Sequence, residues 1–493
     1  MMDSAIRAEL LSRVHKSRAT TQSDSLTVIL NLADMTPAVL AALKHVLLLP
    51  DHLDGSDIPE QAPADFARRN LDALSELTVA DGIEFATAIS AFIHECRHVH
   101  DLRSTRMGAE LLLHDLRVYS GIGALLDRLS DWQSVHPDLG IPLPLSGELE
   151  LFTGEFEDIA NKVRASLVIR ERVSTWWNTR SNTPMIPGYS IRDLFEFVAF
   201  STQIGWLQTI FPDWIARSVF ALSLDDESTA NKYWRPFSVM TALASRFEPP
   251  YQIAPVDASR LFWSALNANG IEVTVENGDA TAQHPGTWFV LFGNRLVDPT
   301  DRPSYATGRE SAWACEFVLA QHDVPGPKER FEAASAALDA LQPKTFRDML
   351  GPKPNRFSPY EAVLVASEVA IDYRDMNRLI CRDPSSHAPK RYVDLLVSGQ
   401  LTTVHVRVFD ASGPLGDFRT ASHIPSNGVG AARIASQASQ QMRLLLEGTG
   451  AVVSPYAAEV LATMRGPGPG GHGLRFRLGK PAPTPCPEPP PPQ

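Results

Sequence analysis

The sequence is short of cysteine, of long apolar runs and of basic charge, and each shortage removes a class of protein. Its four cysteines, Cys96, Cys315, Cys381 and Cys486, form no C-x-x-C pair and no close spacing. A disulfide framework and a thiolate zinc site are therefore excluded, and a reducing compartment, the cytoplasm, is expected. The most apolar early stretch, Ala38 to Pro50, is interrupted by Lys44 and His45, and it falls short of the roughly 20 apolar residues that span a bilayer. The opening residues scatter Asp3, Glu9 and several arginines among apolar positions. They lack the uninterrupted apolar core of a secretory signal and read as an amphipathic helix. With 57 acidic against 45 basic residues and a net charge of −12, neither nucleic acid nor an anionic membrane is expected as a partner, because both select a basic surface. No P-loop, no G-x-G-x-x-G after a strand and no G-x-S-x-G occurs.

What is present has the balance of a folded protein, 44% hydrophobic and 21% charged over 493 residues. That length corresponds to about three domains, or to one large domain with appendages. Over residues 1–245 apolar positions recur mostly at three- and four-residue intervals, as in Leu112, Leu116 and Tyr119, so this part is expected to be mainly helical. The character changes near Pro249. Gly286-TWFVLFGNRLVDP and the stretch after Gly270 read as strands, and Arg391-YVDLLVSGQLTTVHVRVFDASG as a hairpin turning near Ser398 to Gln400. Helices are expected around Val256 to Asn267, Lys328 to Leu341 and Pro359 to Asn377, which makes 246–464 an α+β region. Residues 465–493 are rich in Gly and then Pro and read as a disordered tail. Polyproline II is the only regular conformation open to its last residues, a form that can also dock into an aromatic-lined groove of a partner. The fold class expected is α+β.

One motif carries chemistry. In Ala86-TAISAFIHECRHVHDLRSTRMG, His94, Glu95 and His98 form H-E-x-x-H. Thr78 and Asp81 resemble an N-terminal capping pair, and Ile83, Ala86, Ile89, Ile93 and Cys96 follow at helical spacing. No Pro or Gly interrupts Ile83 to Met107. On a helix, residues four apart differ by about 40° of rotation and about 6 Å of rise, so the two imidazoles can converge on one cation. Glu95 lies about 100° round from His94, outside the ligand set but within reach of a water on the metal, where a general base belongs. Chance would produce about 0.02 such matches in a chain of this composition, an estimate from independent residue frequencies.

These residues resemble the zincin metallopeptidases, whose active-site helix carries His94, Glu95 and His98 in the corresponding order. The resemblance covers this helix and its immediate sequel, which also looks like uncharacterised bacterial zincin-like proteins. It implies a zincin-like helical region, a Zn2+ ion and a peptide or protein substrate.

Catalytic zinc usually takes three protein ligands. Asp101 is seven residues from His94, about 10.5 Å further along a straight helix, too far to share one ion. No Gly follows the second histidine to turn the chain back. A carboxylate from another helix is favoured, as in the gluzincin group, and Glu110, Glu155, Glu157 and Glu196 compete. Glu196 is preferred. It stands between Phe195 and Phe197 in a helix that Ser190 and Asp193 would cap, and a carboxylate among aromatics is costly to bury unless a cation holds it. The competing reading is an exposed stripe of Arg192, Glu196 and Gln203 with an Arg–Glu helix pair. Tyr189, beside this helix in sequence, is a candidate for stabilising a developing oxyanion. Trp176 and Trp177 read as core aromatics, Cys96 as a buried small hydrophobe, and His100 as non-ligating.

The function expected is that of a zinc-dependent metallohydrolase, a peptidase with Glu95 as general base. The alternative is a non-catalytic metal-binding protein or pseudo-peptidase that serves as a regulatory or interaction module. Retention of Glu95 separates the two, since a structural zinc site needs no base there.

Overall fold

The computed structural model describes residues 19–22, 27–49, 53–139, 141–143, 155–181, 188–225, 255–268, 284–298, 309–341, 369–379, 388–410, 413–424 and 476–478. Five strands build its main sheet: β1 (Ala19–Gln22), β2 (Thr27–Asn31), β3 (Asp54–Ile58), β5 (His405–Asp410) and β6 (Gly413–Thr420), in the order β1-β2-β5-β6-β3. A further strand, β4 (Ile141–Leu143), pairs in parallel with β7 (Phe476–Leu478). The main sheet is mixed. β1/β2 and β5/β6 are antiparallel, whereas β2/β5 and β3/β6 run parallel.

Alternation along the strands decides which face is covered. Val28 and Leu30 on β2, Val406 and Val408 on β5 and Phe418 on β6 are buried, while His405 and Arg407 project from the opposite face and are half-buried. Register aligns the buried set, with Val28 opposite Val406, Leu30 opposite Val408, and Val406 opposite Phe418. Helix α3 (Val79–Ser104) packs against β1 and β2, and its Phe92 ring lies 6.4 Å from that of Phe418.

The other helices are α1 (Pro37–Leu47), α2 (Pro63–Ser75), α4 (Arg106–Val135), α5 (Glu155–Asn178), α6 (Ile191–Ile210), α7 (Asp213–Asp225), α8 (Pro255–Ala268), α9 (Pro285–Val297), α10 (Arg309–Gln321), α11 (Pro327–Leu341) and α12 (Pro389–Val397). A further helical stretch covers 369–379. Two of them are central here. The 26-residue α3 is buried around most of its circumference, and α6 packs directly on it. Their starts follow from local chemistry. Thr78 caps α3 by accepting from Asp81 N, and Thr36 Oγ1, which caps α1, donates to Asp81 Oδ1 at 3.0 Å, tying the two helix starts together. Ser190 and Asp193 form a reciprocal capping box on α6. Helix α3 ends at Ser104, short of the uninterrupted run to Met107 read from the sequence, because Thr105 turns extended and caps α4 by accepting from Gly108 N. Gly108 is required at this corner: a β-carbon there would lie 1.8 Å from the Leu102 carbonyl oxygen.

The architecture is α+β, mostly helical with one small mixed sheet, and it differs from the sequence reading in several places. The N-terminal part, expected to be mainly helical, carries seven helices among its described residues but also supplies three of the five sheet strands. Residues 285–297, read as strand from their aromatic and β-branched content, are helix α9: Phe289, Phe292 and Leu296 are buried at helical spacing, and His284 Nδ1 accepts from Gly286 N to cap the first turn. The hairpin expected to turn at Ser398 to Gln400 is instead helix α12 followed by β5, and the hairpin proper is β5/β6. Tyr392, Val393 and Leu396 favour strand by composition but are buried along one helical stripe. The helices expected near 256–267 and 328–341 are α8 and α11. The stretch after Gly270, the opening 18 residues and the boundary at 245/246 lie outside the described residues. Within 465–493, expected to be disordered, Phe476–Leu478 is β7, and the rest lies outside the described residues. Among the described residues no helix is long and apolar enough to cross a membrane.

Candidate metal centre

Helices α3 and α6 bring three side chains to one point. His94 and His98, one turn apart on α3, set their rings edge to face at 4.7 Å between centroids. Glu196, in the second turn of α6, places Oε2 at 3.3 Å from His94 Nε2 and 3.7 Å from His98 Nε2. One ligand-capable atom from each residue lies within 4.8 Å of the others, and among the described residues no other group of three or more His, Cys, Asp or Glu does so.

The spacing admits two arrangements. A charge-assisted hydrogen bond between imidazolium and carboxylate closes to about 2.7–2.9 Å. Ligands about 2.0–2.1 Å from a tetrahedral ion stand roughly 3.3 Å apart. Glu196 Oε2 shares a hydrogen bond with His94 Nε2 at 3.3 Å and lies 3.7 Å from His98 Nε2, and both separations are also compatible with ligands around one ion. Two neutral imidazoles and a carboxylate are also a donor set of the kind that zinc takes with one position left open. The three residues could therefore hold a metal ion.

Burial makes the arrangement electrostatically demanding. The side chains of His94, His98 and Glu196 are only 4%, 11% and 12% exposed. Burial pushes the Glu196 carboxyl up, but hydrogen bonding and charge from His94 and His98 outweigh it and hold the acid well below the usual carboxylate range. Burial likewise pulls the His98 imidazole down, and Glu196, with smaller contributions from Glu95 and Asp101, leaves it raised. Such a carboxylate is stable in the interior only beside positive charge.

The remaining sequence candidates separate from this point. Glu95 is half-buried beside the histidines, and its backbone carbonyl accepts from Thr21 Oγ1 on β1 at 3.2 Å. Asp101 is fully buried and accepts from Arg97 Nε with both oxygens at 2.9 Å. Glu110 accepts from Arg106 Nε at 2.7 Å, one turn back on α4. Nothing is described of the Glu155 and Glu157 side chains. Tyr189 is buried with its ring edge-on to Phe289. The stripe read through Arg192, Glu196 and Gln203 exists only at Arg192, which is 49% exposed and 3.8 Å from Glu196 Oε1. Gln203 is buried and donates to Ser90 Oγ. Cys96 is buried, and burial raises its thiol well above the usual range. Trp176 is core, whereas Trp177 is half-buried against Phe195, whose ring is 6.1 Å from His98.

One set of supporting residues has no signal in the sequence. His100 Nε2 donates to the Thr402 carbonyl at 2.8 Å, so its Nδ1 accepts from Tyr392 Oη, also at 2.8 Å. Arg97 lies over the Tyr392 ring at 4.9 Å. Arg103 donates to Thr402 Oγ1 and to the Thr403 carbonyl. Residues about 300 positions downstream are thus fastened to the helix that bears the histidines. The same α12 packs on α6, so it touches both helices that carry the clustered His94, His98 and Glu196. No family model matches the chain, and comparison with curated proteins and with solved structures finds no match.

Proposed function

We propose that the protein is a zinc-dependent hydrolase acting on peptide bonds, with His94, His98 and Glu196 as metal ligands and Glu95 as general base. The observation that carries this reading is the convergence of H-E-x-x-H with a carboxylate from a separate helix at ligand-to-ligand spacing. A bound zinc ion would supply an acidified water and a polarised carbonyl. Glu95 follows His94 directly, is not drawn into an ion pair with a described residue, and keeps part of its surface exposed. Its role is to take the proton of the attacking water and deliver it to the departing amine. The buried histidines and Glu196 hold the ligand geometry, and the apolar wall of Phe195 and Trp177 limits water beside it. A peptide is the favoured substrate because β1 is the end strand of the sheet among the described residues and is tied to Glu95 through Thr21. A strand at the end of a sheet is the kind of element with which an extended peptide can pair.

The test is hydrolysis of a peptide library by wild type and by Glu95→Gln, both loaded with zinc. Cleavage by wild type that falls at least a hundredfold in Glu95→Gln, with zinc retained, supports the reading. Zinc-loaded wild type that cleaves nothing leaves a metal-binding protein without this activity.

A further inference from the structure

Two arginines beside the metal centre have only weak partners. Arg192, in the first turn of α6, stands one helical turn before Glu196, its side chain 49% exposed and its Nε 3.8 Å from Glu196 Oε1. Arg180, just beyond the end of α5, is 53% exposed and 3.8 Å from Asp193 Oδ2. Both contacts are too long for hydrogen bonds, and exposed pairs of this kind contribute little to stability. Asp193 is already engaged by the Ser190 backbone N–H through the same Oδ2, and Glu196 directs Oε2 at the histidines. Neither arginine makes a hydrogen bond among the described residues. The forked Nη donors of both therefore remain available to a ligand. Trp177, three residues before Arg180, meets Phe195, which in turn faces His98. The end of α5 and the start of α6 thus build a wall that is apolar next to the histidines and cationic at its rim.

We infer that Arg192 and Arg180 form a carboxylate-recognition subsite of the proposed hydrolase, so that its preferred substrates carry a carboxylate one or two residues from the scissile bond. The inference rests on the metal-hydrolase reading of the same centre. Its chemical basis is the match of the planar guanidinium fork to a carboxylate. Residue spacing of about 3.3–3.6 Å in an extended peptide puts such a group within reach of Arg192 while a neighbouring carbonyl sits at the metal position. A free C-terminus and an Asp or Glu side chain present the same chemistry.

The experiment measures binding of fluorescent pentapeptides to the full-length, zinc-loaded Glu95→Gln protein, which is expected to bind without cleaving. Three otherwise identical peptides are compared: a free C-terminal acid, its C-terminal amide, and the amide carrying an internal Asp. The acid or the Asp peptide is expected to bind at least tenfold tighter than the neutral amide, and whichever does so identifies the source of the carboxylate. Adding Arg192→Gln should bring that ratio close to one, Arg180→Gln should reduce it in part, and zinc content should stay at the parent level. Equal binding of all three peptides by zinc-loaded protein overturns the subsite while leaving the hydrolase reading intact. A ratio unaltered in the Arg192→Gln, Arg180→Gln double variant overturns the assignment to these residues. Failure of wild type to bind zinc removes the hydrolase reading and the subsite with it. Arg192→Lys separates geometry from charge: a forked contact predicts that the lysine restores less than half of the lost discrimination.

Discussion

Tyr392 donates its hydroxyl to His100 Nδ1 at 2.8 Å across 292 positions of sequence, and the bond ties α12 to the helix that carries the candidate metal ligands. His100 is buried, and burial lowers its imidazole to about 3, so the ring is neutral at physiological pH. Its two nitrogens then have opposite roles, and both are satisfied. Tyr392→Phe removes the donor and strands Nδ1 in the interior. A loss of about 1–3 kcal/mol in unfolding free energy is expected, the cost of one unsatisfied buried polar atom. Urea unfolding at neutral pH checks it, and a change below about 0.5 kcal/mol would show that the bond does not hold this join.

Gly205 on α6 has Pro389 against it: a β-carbon at Gly205 would lie 2.6 Å from both Cβ and Cγ of the proline ring. Alanine normally favours a helix interior over glycine by about 1 kcal/mol. Overpacking against a rigid ring costs more, typically about 1–3 kcal/mol. Gly205→Ala is therefore expected to destabilise, and Pro389→Gly in the same chain should relieve part of that loss. A double-mutant cycle gives the answer; the expected coupling is about 1 kcal/mol. Strictly additive effects would mean that the helices separate rather than clash.

His284 makes stability depend on acid. It caps α9 through Nδ1, and burial, against the opposing pull of the Trp176 and Thr179 carbonyls, lowers its imidazole to about 4. In the unfolded chain a histidine titrates near 6.5. The unfolded state thus takes up a proton first as pH falls, and the stability held above pH 6.5 is lost progressively down to about pH 4. His284→Asn keeps a capping side chain without the titration. The difference in unfolding free energy between wild type and this variant should move on the order of 2 kcal/mol against wild type between pH 7 and pH 4.5. An unchanged difference would show that His284 is accessible to protons in the folded state.

The parts of the site that could be read from sequence were those encoded locally. Thr78 with Asp81 and Ser190 with Asp193 announced the starts of α3 and α6, because a capping residue and its partner are three positions apart whatever the tertiary fold. Glu196 stood out as a carboxylate between two phenylalanines, and it is the carboxylate that faces His94 and His98. The sheet was not legible. Its β3 strand reads DGSDI, with no apolar alternation, and β2 finds its parallel partner in β5 nearly 380 residues away, at Thr27 opposite His405. Helices α9 and α12 were concealed by their aromatic and β-branched residues, whose strand preference yields to a buried helical stripe. The Tyr392–His100–Thr402 link has no sequence signature, since its partners lie about 300 positions from His100.

Whether His94, His98 and Glu196 hold one metal ion is tested most directly by the zinc content of the purified full-length chain, measured by elemental analysis beside His98→Ala and Glu196→Ala. About one zinc per wild-type chain is expected, with loss in His98→Ala and strongly weakened retention in Glu196→Ala. Metal-free wild type after incubation with excess zinc contradicts the central claim, and zinc retained at the wild-type level in Glu196→Ala contradicts the assignment of the third ligand.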